Sequence, residues 1–137
     1  MAKLVIHTDG GARGNPGPAA IGAVVGGKEY AEAIGETTNN IAEYKAVIFA
    51  LKKARHLTGR EDSKETEIEI NSDSELIVNQ LNGKYKIKED DLKILFVDVW
   101  NIQQSFKKVT FNRIPREENK AADKLVNKLL GRQTLPF

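Results

Sequence analysis

The chain has 137 residues, 40% hydrophobic and 29% charged, with a formal net charge of +2, which is the profile of one soluble globular domain with room for one core. It has no cysteine, which excludes disulfides, thiolate metal sites and cysteine nucleophiles and fits a reducing cytoplasm. No apolar stretch nears the roughly 20 residues of a membrane span, and a strand pattern that starts at the N-terminus leaves no room for a signal peptide.

The first strand is predicted over residues 2–8, where Leu4, Val5 and Ile6 run together before Asp9-Gly10 breaks the run. Residues 10–18, with their glycines and prolines, read as a tight irregular loop. A second strand over 20–26 meets the Gly26-Gly27 hairpin signal, and a third over 28–36 returns antiparallel to it. Asn39 or Asn40 is the expected cap of a long helix, in which Ile41, Tyr44, Val47, Ile48, Leu51 and Ala54 recur at helical spacing to about Leu57. Residues 58–65 read as a polar loop, and the alternation of charge and isoleucine over 67–71 marks a fourth strand. Ser72 or Asp73 then caps a short helix that runs to Leu81 and stops at Asn82-Gly83. The next helix starts at Asp90 or Asp91 and turns Leu92, Leu95, Phe96, Val99 and Ile102 inward; Phe49, Trp100 and Phe106 are also assigned to the core. A fifth strand is expected over 106–112, followed by Pro115 and a last helix over 117–130 that Gly131 terminates. The order β-β-β-α-β-α-α-β-α predicts a single α/β domain over 1–137 with a C-terminal tail at 131–137, for which the sequence leaves open both docking on the body through Leu135 and Phe137 and disorder. Its sheet is mixed and five-stranded, three antiparallel strands first and parallel additions after, with helices on both faces.

Four acids in four separate segments carry the chemistry: Asp9, Glu43, Asp73 and Asp123. Asp9 and Asp73 stand at predicted strand ends, Glu43 and Asp123 on predicted helices. Carboxylates at neighbouring strand ends, joined by carboxylates on the helices packed over them, can form one hard-oxygen cage suited to Mg²⁺ or Mn²⁺. A pair of such ions is suited to cutting a phosphodiester. With the four acids neutralised by two ions, the protein would present a net positive body to a polyanion. Taken singly, each acid has a plainer reading: Asp9 as a turn residue, Glu43 as the third-position acid of a capping arrangement, Asp73 as an N-cap, Asp123 as a solvated helix acid near Lys120 and Lys124.

Four stretches, DGGARGNPGP, TTNNIAEYKA, NSDSELIVNQLNG and PREENKAADKLVNKLL, appear in order along the chain. Together they resemble type 1 ribonuclease H in its short, archaeal-type form, and the likeness covers nearly the whole chain. The resemblance implies the ribonuclease H-like fold and metal-dependent endonucleolytic cleavage of the RNA strand of an RNA–DNA hybrid. It places the catalytic acids and metal ligands at Asp9, Glu43, Asp73 and Asp123, and an accessory arginine at Arg116. The substrate-binding candidates it implies are Ala12, Gly14, Asn15, Thr38, Asn39, Asn40, Ser74 and Glu75; Tyr85 is added as the one aromatic beside basic residues, able either to stack on the hybrid or to pack at a helix end. Within that set, Asn15, Asn40 and the backbone near Ala12 and Gly14 face the minor groove and the RNA 2′-hydroxyls, and Thr38 grips a DNA phosphate. Two features depart from the family pattern. Glu75 stands where many relatives have glutamine, and residues 84–88 lack a long lysine-rich protrusion, which predicts modest hybrid affinity.

The expected mechanism uses two ions about 4 Å apart, one activating water and one stabilising the departing 3′-oxygen, with 5′-phosphate and 3′-hydroxyl ends as products. Asp9 is the expected bridging ligand, Glu43 and Asp73 the partners of the leaving-group ion, and Asp123 that of the nucleophile-side ion. The expected partner is the hybrid alone, acting on a monomer in the cytoplasm. The competing functions are a related metal nuclease that also cuts double-stranded RNA and a noncatalytic hybrid-binding module.

Overall fold

The computed structural model describes residues 2–131; the tail residues Leu135 and Phe137 lie outside them. One five-stranded sheet runs in the order β3-β2-β1-β4-β5. Its strands are β1 (Ala2–Ala12), β2 (Gly17–Val25), β3 (Lys28–Thr37), β4 (Thr66–Ser72) and β5 (Lys108–Arg113). The first three pair antiparallel; β4 joins β1 in parallel and β5 joins β4 in parallel. This is the mixed sheet expected from the element order.

Alternation along the strands sends side chains to two different helical layers. Ile6 of β1 stands level with Val25 of β2 and Ile70 of β4. All three pack with Tyr44, Val47 and Leu51 of α1 (Asn39–Thr58) in the main core. Ala20 of β2 points the other way and packs with Val126 and Leu130 of α5 (Lys120–Leu130). The other helices are the short α2 (Arg60–Ser63), α3 (Glu75–Leu81) and α4 (Asp90–Gln103). Among the described residues, no helix is long and apolar enough to cross a membrane.

Several local expectations need correction. β1 does not stop at Thr8; it continues through Asp9-Gly10-Gly11 because β2 pairs with it there, Asp9 opposite Gly22 and Ala12 opposite Ala19. The glycine-rich loop therefore shrinks to residues 13–16, closed by the Arg13 N–H donating to the Pro18 carbonyl at 2.7 Å. Asn39 and Asn40 do not cap α1. The cap is Thr38, whose hydroxyl accepts from the Ile41 N–H at 3.3 Å, while Asn39 uses its side chain elsewhere. Neither Ser72 nor Asp73 caps α3; Ser74 does, accepting from the Ile77 N–H.

Residues 58–65 are not all loop. Gly59 reverses the chain at φ 82°, and α2 follows, with the Ser63 hydroxyl donating to the Gly59 carbonyl at 2.6 Å. The last helix starts at Lys120, after a 3₁₀ turn at Arg116–Glu118. Trp100 is 54% exposed and is no core residue, whereas Phe106 is buried as expected.

Candidate active site

β1 is central, flanked by β2 and β4, so its end can be reached from both helical layers. Asp9 lies inside β1, two residues past the last one paired with β4, and is only 9% exposed. Asp73 directly follows β4, the parallel neighbour of β1. It is held between the strand end and the cap of α3, where the Ser74 N–H donates to the Ser72 hydroxyl at 3.1 Å.

α1 brings Glu43 over this point. Gly10 permits the approach, since a Cβ there would collide with the carbonyl of Ala42. The Gly10 N–H donates to Glu43 Oε1 at 2.9 Å, fixing the carboxylate above the strand. Tyr44, the next residue, is fully buried and its hydroxyl donates to Gln80 at 2.8 Å, which ties α1 to α3. Asp123 comes from the other layer, on the first turn of α5. Gly22 serves that helix as Gly10 serves α1: a Cβ there would lie 3.0 Å from the Ala122 carbonyl.

One carboxylate oxygen from each of Asp9, Glu43 and Asp73 falls within 4.8 Å of the others. Asp123 is not in that tight set. It lines the same open cleft of about 520 Å³, and its Oδ2 accepts from Asn127 Nδ2 at 3.0 Å. Arg116 and Arg113 also line the cleft, as do Ala12, Asn39, Asn40 and Ser74.

The electrostatics follow from burial and repulsion. Asp9 has its pKa pushed up to about 8, first by burial and then by the charges of Glu43, Asp73 and Asp123, with Arg116 opposing. Glu43 is pushed up to about 7, mainly by burial, against the stabilising Gly10 N–H. Asp73 is raised as well, by burial first, with Arg116 opposing. These carboxyls favour protons because burial and mutual repulsion outweigh the attraction of Arg116. A divalent cation can replace those protons, and the donor set is all hard oxygen, which fits Mg²⁺ or Mn²⁺.

The remaining candidates fall into two groups. Asn15 and Asn39 form a relay that ties the loop to the start of α1: Asn39 Oδ1 accepts from the Ala12 N–H at 2.8 Å, and Asn15 Oδ1 accepts from the Asn39 N–H at 2.9 Å. Thr38 stands beside them as the cap. Gly14, at φ 90°, turns the loop. Glu75 and Tyr85 stand apart from the cleft lining, and the Tyr85 hydroxyl donates to Glu75 Oε2 at 2.9 Å.

Two residues escaped sequence reasoning as site components. Arg113 reads as one more solvated cation, and only its place at the end of β5 brings it to the cleft. Asn119 is 1% exposed; its Nδ2 donates to the Thr8 carbonyl at 2.8 Å and its side chain also supports Asp73. It therefore links the backbone next to Asp9 with the second aspartate. The asparagine of PREEN was its only signal.

The strand order and the acid-lined cleft at the centre of the sheet define a ribonuclease H-like domain. A family model described as reverse transcriptase-like matches residues 7–129. Ribonuclease HI of Halobacterium salinarum is 38% identical over 134 residues, which cover 93% of this chain and 64% of that protein. A bifunctional protein of Mycobacterium tuberculosis is 39% identical over 132 residues, 91% of this chain. The chain spans only 35% of the length of that mycobacterial relative. LC11 ribonuclease H1, solved in complex with an RNA/DNA hybrid, superposes with a TM-score of 0.85 at 46% identity, covering 91% of this chain and 94% of that one. The chain belongs to the reverse transcriptase-like family and, within it, to the short form of type 1 ribonuclease H.

Proposed function

We infer that the protein is a metal-dependent endonuclease that hydrolyses the RNA strand of RNA–DNA hybrids. The observation that carries this reading is the convergence of Asp9, Glu43 and Asp73 to within 4.8 Å, with Asp123 on the same cleft. A noncatalytic binding module has no use for buried carboxylates that repel one another. The hybrid held by LC11 ribonuclease H1 supports the choice of substrate.

In this reading Asp9, Glu43, Asp73 and Asp123 would hold two divalent ions, Mg²⁺ or Mn²⁺. When bound, such ions supply an activated water and charge stabilisation at phosphorus and at the leaving oxygen. Asp9, at the centre of the group, would contribute to holding both ions, with Glu43 and Asp73 contributing to one and Asp123 to the other. The Gly10 N–H and the Ser74 hydroxyl orient Glu43, and Asn119 orients Asp73, so the oxygens are aimed before substrate arrives. Arg113 and Arg116 on the rim attract the phosphate backbone that the acids alone would repel.

Substrate choice is assigned to the loop and the start of α1. The carboxamide nitrogens of Asn15 and Asn39, whose oxygens are occupied, remain as donors for groove acceptors and 2′-hydroxyls. Asn40 and Ser74 line the cleft beside them. Thr38 offers its hydroxyl to a DNA phosphate at the start of the helix. Tyr85 holds one oxygen of Glu75, which leaves the other as an acceptor only. The protein acts as a monomer on the hybrid alone, and the absence of cysteine favours a reducing compartment such as the cytoplasm.

The test is a hybrid labelled on its RNA strand, incubated with Mg²⁺ or with EDTA, beside an RNA duplex and a DNA duplex. Cleavage should be confined to the hybrid with Mg²⁺ and should leave 5′-phosphate and 3′-hydroxyl ends. Equal cutting of the RNA duplex would favour a broader metal nuclease, and binding without cutting would favour the noncatalytic module.

A further inference from the structure

α1 carries its acid at one end and a cluster of cations at the other. Lys52, Arg55 and His56 on its last turns, with Arg60 of α2, line a hollow of about 540 Å³. The remaining lining is Gly59 and the aliphatic Ile102 of α4, with no carboxylate. The hollow lies roughly 18 Å along the helix axis from Glu43, at 1.5 Å per residue, so a ligand in the cleft does not occupy it. Arg55 and His56 complement the negative end of α1. That accounts for Arg55 and leaves the cations Lys52 and Arg60. None of Lys52, Arg55 and Arg60 takes part in an ion pair among the described residues.

An apolar surface continues from this hollow. The adjoining hollow between α1 and α4, about 380 Å³, shares Lys52, Arg55 and Ile102 with it and adds Ile48, Asn101 and one carboxylate, Asp98. Asn101 lies one helical turn beyond Val97, so the two are surface neighbours on α4. Val97 is 52% exposed, and its own turn neighbours Ile94 and Trp100 are 66% and 54% exposed. Three large apolar side chains in one stripe, beside a concave basic rim, differ from apolar residues scattered singly over a surface.

We propose that this face is a docking surface for an acidic segment of another protein that carries apolar side chains among its carboxylates. The basic rim supplies charge complementarity, and the aliphatic floor and the stripe on α4 supply contacts for the apolar residues. A nucleic-acid backbone would use the cations but would leave Ile94 and Val97 in water. The proposal is independent of the activity assigned to the cleft.

Trp100 is the only tryptophan in the chain, so its emission reports on this face. The experiment titrates the full chain with a short synthetic peptide of aspartate and glutamate interspersed with leucine and phenylalanine, and follows that emission. The expected result is a saturable blue shift. Arg55→Glu with Arg60→Glu should weaken the apparent affinity by roughly tenfold or more. Both residues are exposed, so the fold should survive, and hybrid cleavage by this variant should match the parent. No shift at millimolar peptide would overturn the proposal. So would an equal shift with the same peptide carrying asparagine and glutamine in place of its acids. An equal, charge-dependent shift with a DNA duplex would overturn it too, making this a nucleic-acid face.

Discussion

The two ends of α1 hold opposite charges in opposite ways. At the N-terminal end, Glu43 faces Asp9 and Asp73 in a partly buried cleft, where burial and mutual repulsion raise the affinity of all three for protons. At the C-terminal end, Lys52, Arg55, His56 and Arg60 stand exposed. Charge in water costs little and by itself demands no ligand. Charge that is buried beside its own kind is unfavourable in the folded protein until something compensates it. The acidic end therefore implies a ligand from its charge alone, whereas the basic end does so only with its hollow and the exposed stripe of α4.

The sharpest way to break this contrast is to remove one charge at each end. Asp9→Asn should reduce hybrid cleavage by more than the roughly 10–100-fold typical of losing an outer-shell partner of a metal ligand. The same change should raise the melting temperature of the metal-free protein near neutral pH, because it deletes a repelled carboxylate. Lys52→Gln, which neutralises an exposed cation at the other end, should alter neither measurement appreciably. A thermal melt in EDTA beside a rate measurement separates these outcomes.

Next in size is the dependence on pH. The ordinary values for Asp9 and Glu43 are 3.8 and 4.5, and the folded protein raises them to about 8 and about 7. Between those limits the folded chain binds more protons than the unfolded one, so its stability falls as pH rises. The metal-free melting temperature should therefore decline from about pH 4 to about pH 8. Saturating Mg²⁺ should flatten the upper part of that decline. Asp9→Asn should remove much of it.

Two glycines sharpen the comparison further, because each admits one helix to the cleft. Gly10→Ala drives a methyl group into backbone of α1 and should cost about 1–3 kcal/mol of stability along with most activity. Gly22→Ala meets the Ala122 carbonyl at 3.0 Å and the Leu125 Cβ at 3.1 Å, a misfit of tenths of an ångström. It should spare stability more than turnover, since it displaces the helix that carries Asp123. The smallest effect is expected for Thr38→Ala, about 1 kcal/mol from a lost helix cap, measured by denaturant unfolding.

The sheet was legible in the sequence because its strands alternate or run apolar between clear turn signals, and the four acids because their motifs recur in order. What escaped was set by contacts distant in the chain. Asn39 looks like a cap, yet its oxygen is drawn 27 residues back to the Ala12 N–H, which leaves the cap to Thr38. Asp9-Gly10-Gly11 looks like a turn, yet the pairing of β2 extends the strand through it. The polar stretch after Thr58 folds into α2 because Gly59 adopts a positive φ and Ser63 bonds back to its carbonyl. Trp100 suits a core by composition, but α4 has only one buried side, and Val99 and Leu92 occupy it. Neither Arg113 nor Asn119 belongs to a pattern that marks a site; each acquires its place only when β5 and α5 are laid beside β1 and β4.

The most direct test of the acid cluster is calorimetric titration of the protein with Mg²⁺ near pH 7, in buffers of different ionisation enthalpy. Carboxyls that share protons when metal-free must give them up to the cation, so the observed heat should vary with the buffer and reveal net proton release. Asp9→Asn should abolish most of that release. A heat independent of buffer, or a release unchanged by Asp9→Asn, would contradict the convergence of these side chains on a common cation site.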